Sequence, residues 1–91
     1  MKTTKLEFCQ AIIHLCALYT CSVTSWIRTP ARNKKVGGHE RSNHIVGFGA
    51  DLVPDDPAAK PALVAAAWKL GLDAIDEGDH VHIEVDKANQ A

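Results

Sequence analysis

Residues of the types that bind metal ions occur in two short stretches of the sequence. The first stretch contains His44 and Asp51, and the second contains His80 and His82. Two imidazoles and one carboxylate leave a fourth position open on a zinc ion, which is typical of a catalytic site rather than a structural one. We therefore predict a small hydrolytic zinc site, in which either His80 or His82 is the third ligand.

The first pair of candidate ligands needs a bend in the chain. His44 and Asp51 are seven residues apart, and an odd offset on a regular strand points two side chains to opposite faces. Gly47 and Gly49 lie between them, and glycine inside a strand often marks a bulge. We predict a strand over residues 45–54 that bends at these glycines. The alternative is a loop histidine followed by an aspartate that caps a turn.

The second stretch predicts a strand with one functional face. His80 and His82 are two residues apart and therefore share a face of a strand over residues 80–85. Two nearby carboxylates, Asp79 and Glu77, are the candidates for a general base. The alternative is an exposed polar face that binds no metal.

One arginine is a candidate for substrate recognition. Arg28 stands two residues before Pro30, which ends the preceding apolar segment. A guanidinium group can hold a carboxylate with two parallel hydrogen bonds. Without further information, a surface ion pair with one of the acidic residues is the better explanation of Arg28.

The elements that must hold these residues follow from apolar spacing and turn signals. The pattern predicts an α+β fold, in which a small antiparallel sheet packs against two to three helices. We expect a polar, frayed tail after the last strand. The predicted helices cover residues 5–18, 31–36 (a short turn) and about 61–70, and the predicted strands cover residues 20–27, 45–54, 72–77 and 80–85.

Length, charge and cysteine content limit the class of protein. The 91 residues suit one domain with a core over about residues 6–86, and we expect a monomer. The net charge of −1 gives no field that would hold nucleic acid. No apolar run is long enough for membrane insertion. Residues 11–23 lack a convincing cleavage site for a signal peptide, so we expect a helix of the mature fold and synthesis in the cytoplasm, and a signal peptide is the alternative.

Three sequence blocks, in this order, resemble a known family. They are Ser25-Trp26-Ile27-Arg28-Thr29-Pro30, Ser42-x-His44-x-x-Gly47-x-x-x-Asp51 and Asp79-x-x-His82-x-Glu84. The blocks resemble the zinc D-alanyl-D-alanine carboxypeptidases and L-alanyl-D-glutamate endopeptidases of bacterial and phage cell-wall metabolism. These M15-type peptidases share their fold with the Hedgehog signalling domain. Trp26 departs from the family pattern, which has glycine at that position.

The resemblance implies a role for each matching residue. His44, Asp51 and His82 would hold Zn²⁺, and Asp79 would be the catalytic base. Arg28 would contact the substrate or the transition state. The remaining roles are less direct: Ser42 would shape the site, Glu84 would orient His82, and His80 would hydrogen-bond the substrate or the developing oxyanion.

The function implied by the resemblance is hydrolysis of peptide bonds in peptidoglycan stem peptides. An enzyme without an export signal that acts on the cell wall suits a phage lysis protein or a virion-associated protein. Two alternatives remain open. One is a non-catalytic binding module of the same fold that zinc stabilises, and the other is a small structural domain without a metal.

Overall fold

The helices and strands occur in the predicted order. The computed structural model describes residues 2–91, and none of its helices has the length and apolar character that crossing a membrane requires. The elements are α1 (Lys5–Tyr19), β1 (Cys21–Ser25), α2 (Pro30–Lys35), β2 (Gly49–Pro54), α3 (Lys60–Lys69), β3 (Asp73–Asp76) and β4 (Val81–Glu84). Single 3₁₀ turns occupy Pro57–Ala59 and Lys87–Asn89.

The four strands form one antiparallel sheet in the order β1-β2-β4-β3. This architecture confirms the predicted α+β class. Asp51 on β2 pairs with Ser25 on β1 and with His82 on β4, and His82 pairs in turn with Ile75 on β3. Directly paired residues point to the same face of a sheet, so this row of four side chains crosses one face.

The opposite face of the sheet carries the hydrophobic core. Side chains alternate between the two faces along β2 and β4, so the apolar ones point toward α1 and α3. This confirms the prediction that Val81, Ile83 and Val85 face the core. The sheet thus separates an apolar layer from a polar face. The core consists of Phe8, Ile12, Leu15, Phe48, Ala50, Leu52, Leu63, Ala67, Leu72, Ala74, Val81, Ile83 and Val85.

Local signals fix the two helices that precede β2. Thr4 and Glu7 form a reciprocal capping box at the start of α1, with hydrogen bonds of 3.1 and 2.9 Å. Thr29 caps α2 by accepting a hydrogen bond from the Arg32 backbone, and Pro30 occupies the first turn. As a result, α2 begins at Pro30, and only its capping residue Thr29 separates it from Arg28.

The predicted strand over residues 45–54 is wrong in its first half. β2 begins only at Gly49, and residues 43–47 form a turn. The Ser42 hydroxyl accepts a hydrogen bond from the His44 amide at 3.2 Å, and the His44 carbonyl accepts one from Gly47 at 3.4 Å. Gly47 has φ of 80°, which closes the turn in a conformation that favours glycine. A turn, and not a bulged strand, therefore brings His44 toward Asp51.

The expectation of a frayed tail is also wrong. Thr3 and Gln90 form a parallel bridge, and the Ala91 amide donates to the Thr3 carbonyl at 2.9 Å. The Gln90 side chain donates to the buried Asn43 side chain at 2.7 Å and to the Val85 carbonyl at 2.9 Å. Polar composition alone suggested disorder, whereas these polar groups have partners within the fold.

Candidate active site

Three side chains converge on the polar face of the sheet. His44 Nε2 lies 3.3 Å from Asp51 Oδ1, and His82 Nδ1 lies 2.8 Å from the same oxygen. One potential ligand atom from each residue lies within 4.8 Å of the other two. The turn before β2 supplies His44, whereas the direct pairing of β2 with β4 supplies Asp51 and His82. The structure thus brings together the three residues for which the sequence suggested a metal site.

Both imidazoles are held by hydrogen bonds on the side away from Asp51. His44 Nδ1 lies 2.7 Å from the Trp26 carbonyl oxygen, which can only accept, so this nitrogen carries the proton. His82 Nε2 lies 2.7 Å from Glu84 Oε1. Such partners behind a metal-binding histidine fix its tautomer and its ring orientation.

The chemistry of the donor set fits a divalent cation. In the neutral tautomers set by Trp26 and Glu84, the lone pairs of His44 Nε2 and His82 Nδ1 both face a carboxylate oxygen. Lone pairs on nitrogen and oxygen repel one another when they face each other. Either an extra proton or a cation between the two atoms removes this repulsion. Two imidazole nitrogens and one carboxylate are ligands that zinc accepts.

Electrostatic coupling is strong within this cluster. Burial disfavours the charged form of Asp51, but the adjacent imidazoles of His44 and His82 outweigh that effect and hold the pKa of Asp51 well below its usual range. The hydrogen bond to Asp51 raises the pKa of His82 to about 8, against the opposing effect of burial and with a further contribution from Glu84. Without a metal, His82 is therefore largely protonated at neutral pH.

Arg28 lies beside the cluster in a fixed orientation. Its Nε donates to Ser25 Oγ at 3.1 Å and its Nη1 donates to Asn33 Oδ1 at 3.1 Å, while Nη2 lies 3.7 Å from Asp51 Oδ2. Asn33 is buried and also donates to the His39 carbonyl at 2.7 Å. Arg28 is thus not a loose surface side chain.

The hairpin between β3 and β4 supplies His80, Asp79 and Glu77. His80 Nε2 faces the cluster at 3.8 Å from Asp51 Oδ1, and it lies 3.9 Å from Glu77 Oε2. The Asp79 carboxylate contacts His80 Nδ1 at 2.6 Å, but 91% of its side chain is exposed and it forms no ion pair with His44 or His82. His80 therefore stands between Asp79 and the metal-binding cluster.

Close backbone approach explains one glycine of the site. A methyl group at Gly49 would lie 3.1 Å from the His44 amide nitrogen and 3.2 Å from the Asn43 carbonyl carbon. The absence of a side chain lets the start of β2 pack directly on the turn that carries His44. Ser42 contributes by holding the same turn through its hydroxyl.

Comparison with known proteins agrees with this geometry. A protein-family model described as Peptidase M15 matches residues 2–84. The chain belongs to the peptidase M15 family. Neither the curated proteins nor the solved structures contain a significant match to it. M15 peptidases are zinc enzymes in general, and this member has a candidate His-Asp-His metal site where the family resemblance predicted one.

Some residues that hold this M15 site together could not be given a role from the sequence. Asn33 belongs to the matching region, but only its contact with Arg28 indicates what it does. The Trp26 carbonyl holds His44, and a backbone group leaves no signal in residue type. Ser25 could have been suspected because it pairs with Asp51 once β1 and β2 are aligned.

Proposed function

We propose that this M15 protein is a zinc metallopeptidase that hydrolyses peptide bonds in peptidoglycan stem peptides. The cleaved bond would be D-Ala-D-Ala, as in a carboxypeptidase, or L-Ala-D-Glu, as in an endopeptidase. The convergence of His44, Asp51 and His82 in a chain of this family is the observation that carries the proposal. The choice of stem peptides follows from the resemblance of the three sequence blocks to cell-wall peptidases.

The zinc ion would be held by His44 Nε2, a carboxylate oxygen of Asp51 and His82 Nδ1. When bound, zinc supplies Lewis acidity that polarises a carbonyl group and lowers the pKa of a water molecule. The Trp26 carbonyl and Glu84 keep the two imidazoles turned toward this position, so the ligands are oriented before the metal arrives.

Asp79 is our candidate for the general base, and His80 connects it to the site. Asp79 accepts a hydrogen bond from His80 Nδ1, which leaves a lone pair on His80 Nε2 facing the cluster. A proton taken from a water molecule can therefore be received by Asp79 directly, after rotation of its exposed side chain, or by His80 with Asp79 stabilising the resulting imidazolium. The same pair can return a proton to the leaving amine.

Arg28 is our candidate for recognition of a substrate carboxylate. Ser25 and Asn33 hold the guanidinium at two of its nitrogens, and only 17% of the side chain is exposed. A pre-oriented guanidinium loses little freedom when it binds a carboxylate. A stem peptide offers carboxylates at its C-terminus and on its glutamate residue, which matches this role.

The proposal is tested by digesting purified peptidoglycan with the zinc-loaded protein and identifying the products by mass spectrometry. We expect one zinc ion per chain by elemental analysis and a single type of new amine terminus. Asp79→Asn should retain its zinc but lose about 10²–10⁴-fold in rate, the usual contribution of general base catalysis. Asp86→Asn is the matched control, because Asp86 is exposed and outside the site.

Two outcomes would change the assignment of roles. If Asp79→Asn cleaves as fast as the parent protein while His80→Asn is inactive and retains zinc, His80 is the base and Asp79 is dispensable. If the protein binds no zinc and still folds, the metallopeptidase proposal is wrong.

A non-catalytic module that zinc stabilises is the second candidate function. The exposure of the Asp79 carboxylate, which is turned to solvent rather than to the metal-binding cluster, favours it. This candidate predicts one zinc ion per chain and no new amine in any digest, together with unchanged zinc content in Asp79→Asn. The digest therefore separates the two functions.

We further propose that the protein acts on the cell wall as a monomer, in phage lysis or as a virion-associated enzyme. This setting rests on the resemblance to cell-wall peptidases. Lysis assays with isolated cell walls, compared with intact cells, would test it. Activity on isolated walls alone is expected if another component must deliver the enzyme across the membrane.

A further inference from the structure

A cavity of about 250 Å³ adjoins the metal-binding cluster on the polar face of the sheet. The wall of the cavity that faces the cluster is formed by His82. The cavity is therefore within reach of a substrate bound at the candidate zinc site. The cavity is lined by Trp68, Asp73, Ile75, His82 and Glu84.

One wall of the cavity is apolar and open to solvent. Ile75 lies on the edge strand β3, and 59% of it is exposed. Trp68 reaches from α3 around this edge, where its Nε1 donates to the Ala74 carbonyl at 3.3 Å, and 55% of the residue is exposed. The hydrogen bond orients the indole although half of the residue faces solvent. Two large apolar side chains thus offer a pre-oriented surface beside the site.

The other wall carries two carboxylates, and His82 is the partner of only one of them, Glu84. Asp73 and Glu84 occupy directly paired positions on β3 and β4, and like charges in that arrangement destabilise a sheet. Glu84 accepts a hydrogen bond from His82. Within residues 2–91, Asp73 forms no side-chain hydrogen bond or ion pair, whereas Asp76 on the same strand is paired with Lys60.

We propose that this cavity is a subsite for a substrate residue that carries a primary ammonium group on an apolar stem, such as lysine or another diamino acid. The methylene stem would pack on Trp68 and Ile75. The ammonium group would bind the Asp73 carboxylate and the free oxygen of Glu84, where it offsets the repulsion between them. This inference rests on the peptidase function proposed above, because it assigns the cavity to the substrate of that site.

The mixed character of the cavity selects this chemistry. A small inorganic cation would leave the apolar surface of Ile75 exposed, whereas an aliphatic side chain without charge would leave the Asp73 carboxylate unpaired. An ammonium group near an indole also gains a cation–π attraction. The combination therefore favours an organic cation over either alternative.

Binding is measured by NMR on the full chain, with Nα-acetyl-lysine amide as the probe and Nα-acetyl-norleucine amide as its neutral counterpart. The Trp68 indole N–H signal, assigned with Trp68→Phe, should shift on titration while the Trp26 signal does not. We expect the lysine probe to bind about three- to tenfold more tightly, as partly exposed ion pairs and cation–π contacts allow. Asp73→Asn should remove most of this preference, and Asp86→Asn should keep it.

Equal binding of the two probes, or a preference that survives Asp73→Asn, would overturn the subsite. Cleavage gives an independent comparison, with matched peptides that carry lysine or norleucine at the residue next to the scissile bond. Equal kcat/KM for the two peptides overturns the subsite but leaves the peptidase function intact. Asp73-dependent binding of lysine by a protein that cleaves no peptide instead supports the amine site and overturns the proposed function.

Discussion

At the residue scale, the candidate site is defined by hydrogen bonds that decide which nitrogen of each imidazole faces the metal position. The Trp26 carbonyl is hydrogen-bonded to Nδ1 of His44, and the Glu84 carboxylate is hydrogen-bonded to Nε2 of His82. The two histidines therefore present different nitrogens to Asp51, although both serve the same centre. Side-chain type alone could not have predicted this difference.

The raised pKa of His82 predicts how zinc affinity depends on pH. His82 must lose its proton before Nδ1 can bind zinc, and hydrogen bonding to Asp51 raises its pKa to about 8. Apparent zinc affinity should therefore rise about tenfold per pH unit from pH 6 to 8, as expected for release of one proton, and should level off above pH 8. Competition with a chromophoric chelator measures the apparent zinc affinity at each pH. An affinity that is constant over this range would contradict the role of His82.

The metal-free protein should show the opposite dependence. In the folded protein the pKa of His82 lies above its ordinary value of 6.5. The protonated imidazole therefore stabilises the fold fully below pH 6.5, and this stabilisation is lost as the pH rises through about 8. The lowered pKa of Asp51 adds stability that is lost only below pH 3.8. Urea denaturation of the zinc-free protein should thus give a lower midpoint at pH 9 than at pH 6. In Glu84→Gln the decline should begin at a lower pH.

At the element scale, α3 holds the hairpin that carries Asp79 and His80. Lys60, at the start of α3, donates from Nζ to the Gly78 carbonyl at 2.7 Å and to Asp76 Oδ1 at 3.2 Å. Within the hairpin, Asp76 Oδ1 also accepts from the Gly78 amide at 2.9 Å. This hydrogen bond, with Lys60, lowers the pKa of Asp76. A helix that packs on the core thereby fixes the position of a turn at the site.

Lys60→Met should disturb catalysis more than binding. Loss of both hydrogen bonds would let the turn move, and a misplaced catalytic group should lower kcat on the order of tenfold. KM and zinc content should change little, because the metal-binding cluster does not include Lys60. Lys60→Arg should recover part of the activity, and Lys69→Met, at the other end of α3, should behave like the parent. A kcat unchanged in Lys60→Met would show that the turn is held by other contacts.

At the scale of the whole molecule, one face of the sheet packs on the hydrophobic core and the other face carries the candidate site. Core residues and site residues alternate along β2 and β4, so Ile83 is buried beneath the sheet while its neighbour His82 lies on the opposite face. The two ends of the chain are also joined near this sheet through the Thr3–Gln90 bridge. Loss of packing on one face is therefore expected to disturb the ligands on the other.

Ile83→Ala tests this coupling. Removal of a fully buried isoleucine side chain should lower the free energy of unfolding by about 2–5 kcal/mol. Zinc at 100 times its dissociation constant should restore about 2.7 kcal/mol if it binds only the folded chain. Ile13→Ala is the control, because Ile13 is 64% exposed and its replacement should change stability by less than about 0.5 kcal/mol. Thermal or urea denaturation of each variant, with and without zinc, measures the loss of stability and the stabilisation by zinc. No stabilisation by zinc would contradict a site formed by the folded sheet.

Much of the fold was predictable because its signals are local. The apolar spacing and the capping residues Thr4 and Glu7 mark α1, and Pro61 and Gly71 delimit α3. The first half of the strand predicted over residues 45–54 was wrong because glycine permits a turn as readily as a bulge, and the choice depends on hydrogen bonds to Ser42 and Arg28. The C-terminal tail was mispredicted because its partners, Thr3 and Asn43, are distant in sequence.

The sequence by itself determined the α+β class and the presence of two imidazoles and a carboxylate suited to zinc. Residue type and spacing carry this information, because helix and strand periods and ligand chemistry are properties of the chain. Only the tertiary structure decided that His82 points its Nδ1 at Asp51, while His80 contacts Asp79. That choice depends on the register between β2 and β4, since a shift of one residue would turn the ligands of one strand into the core.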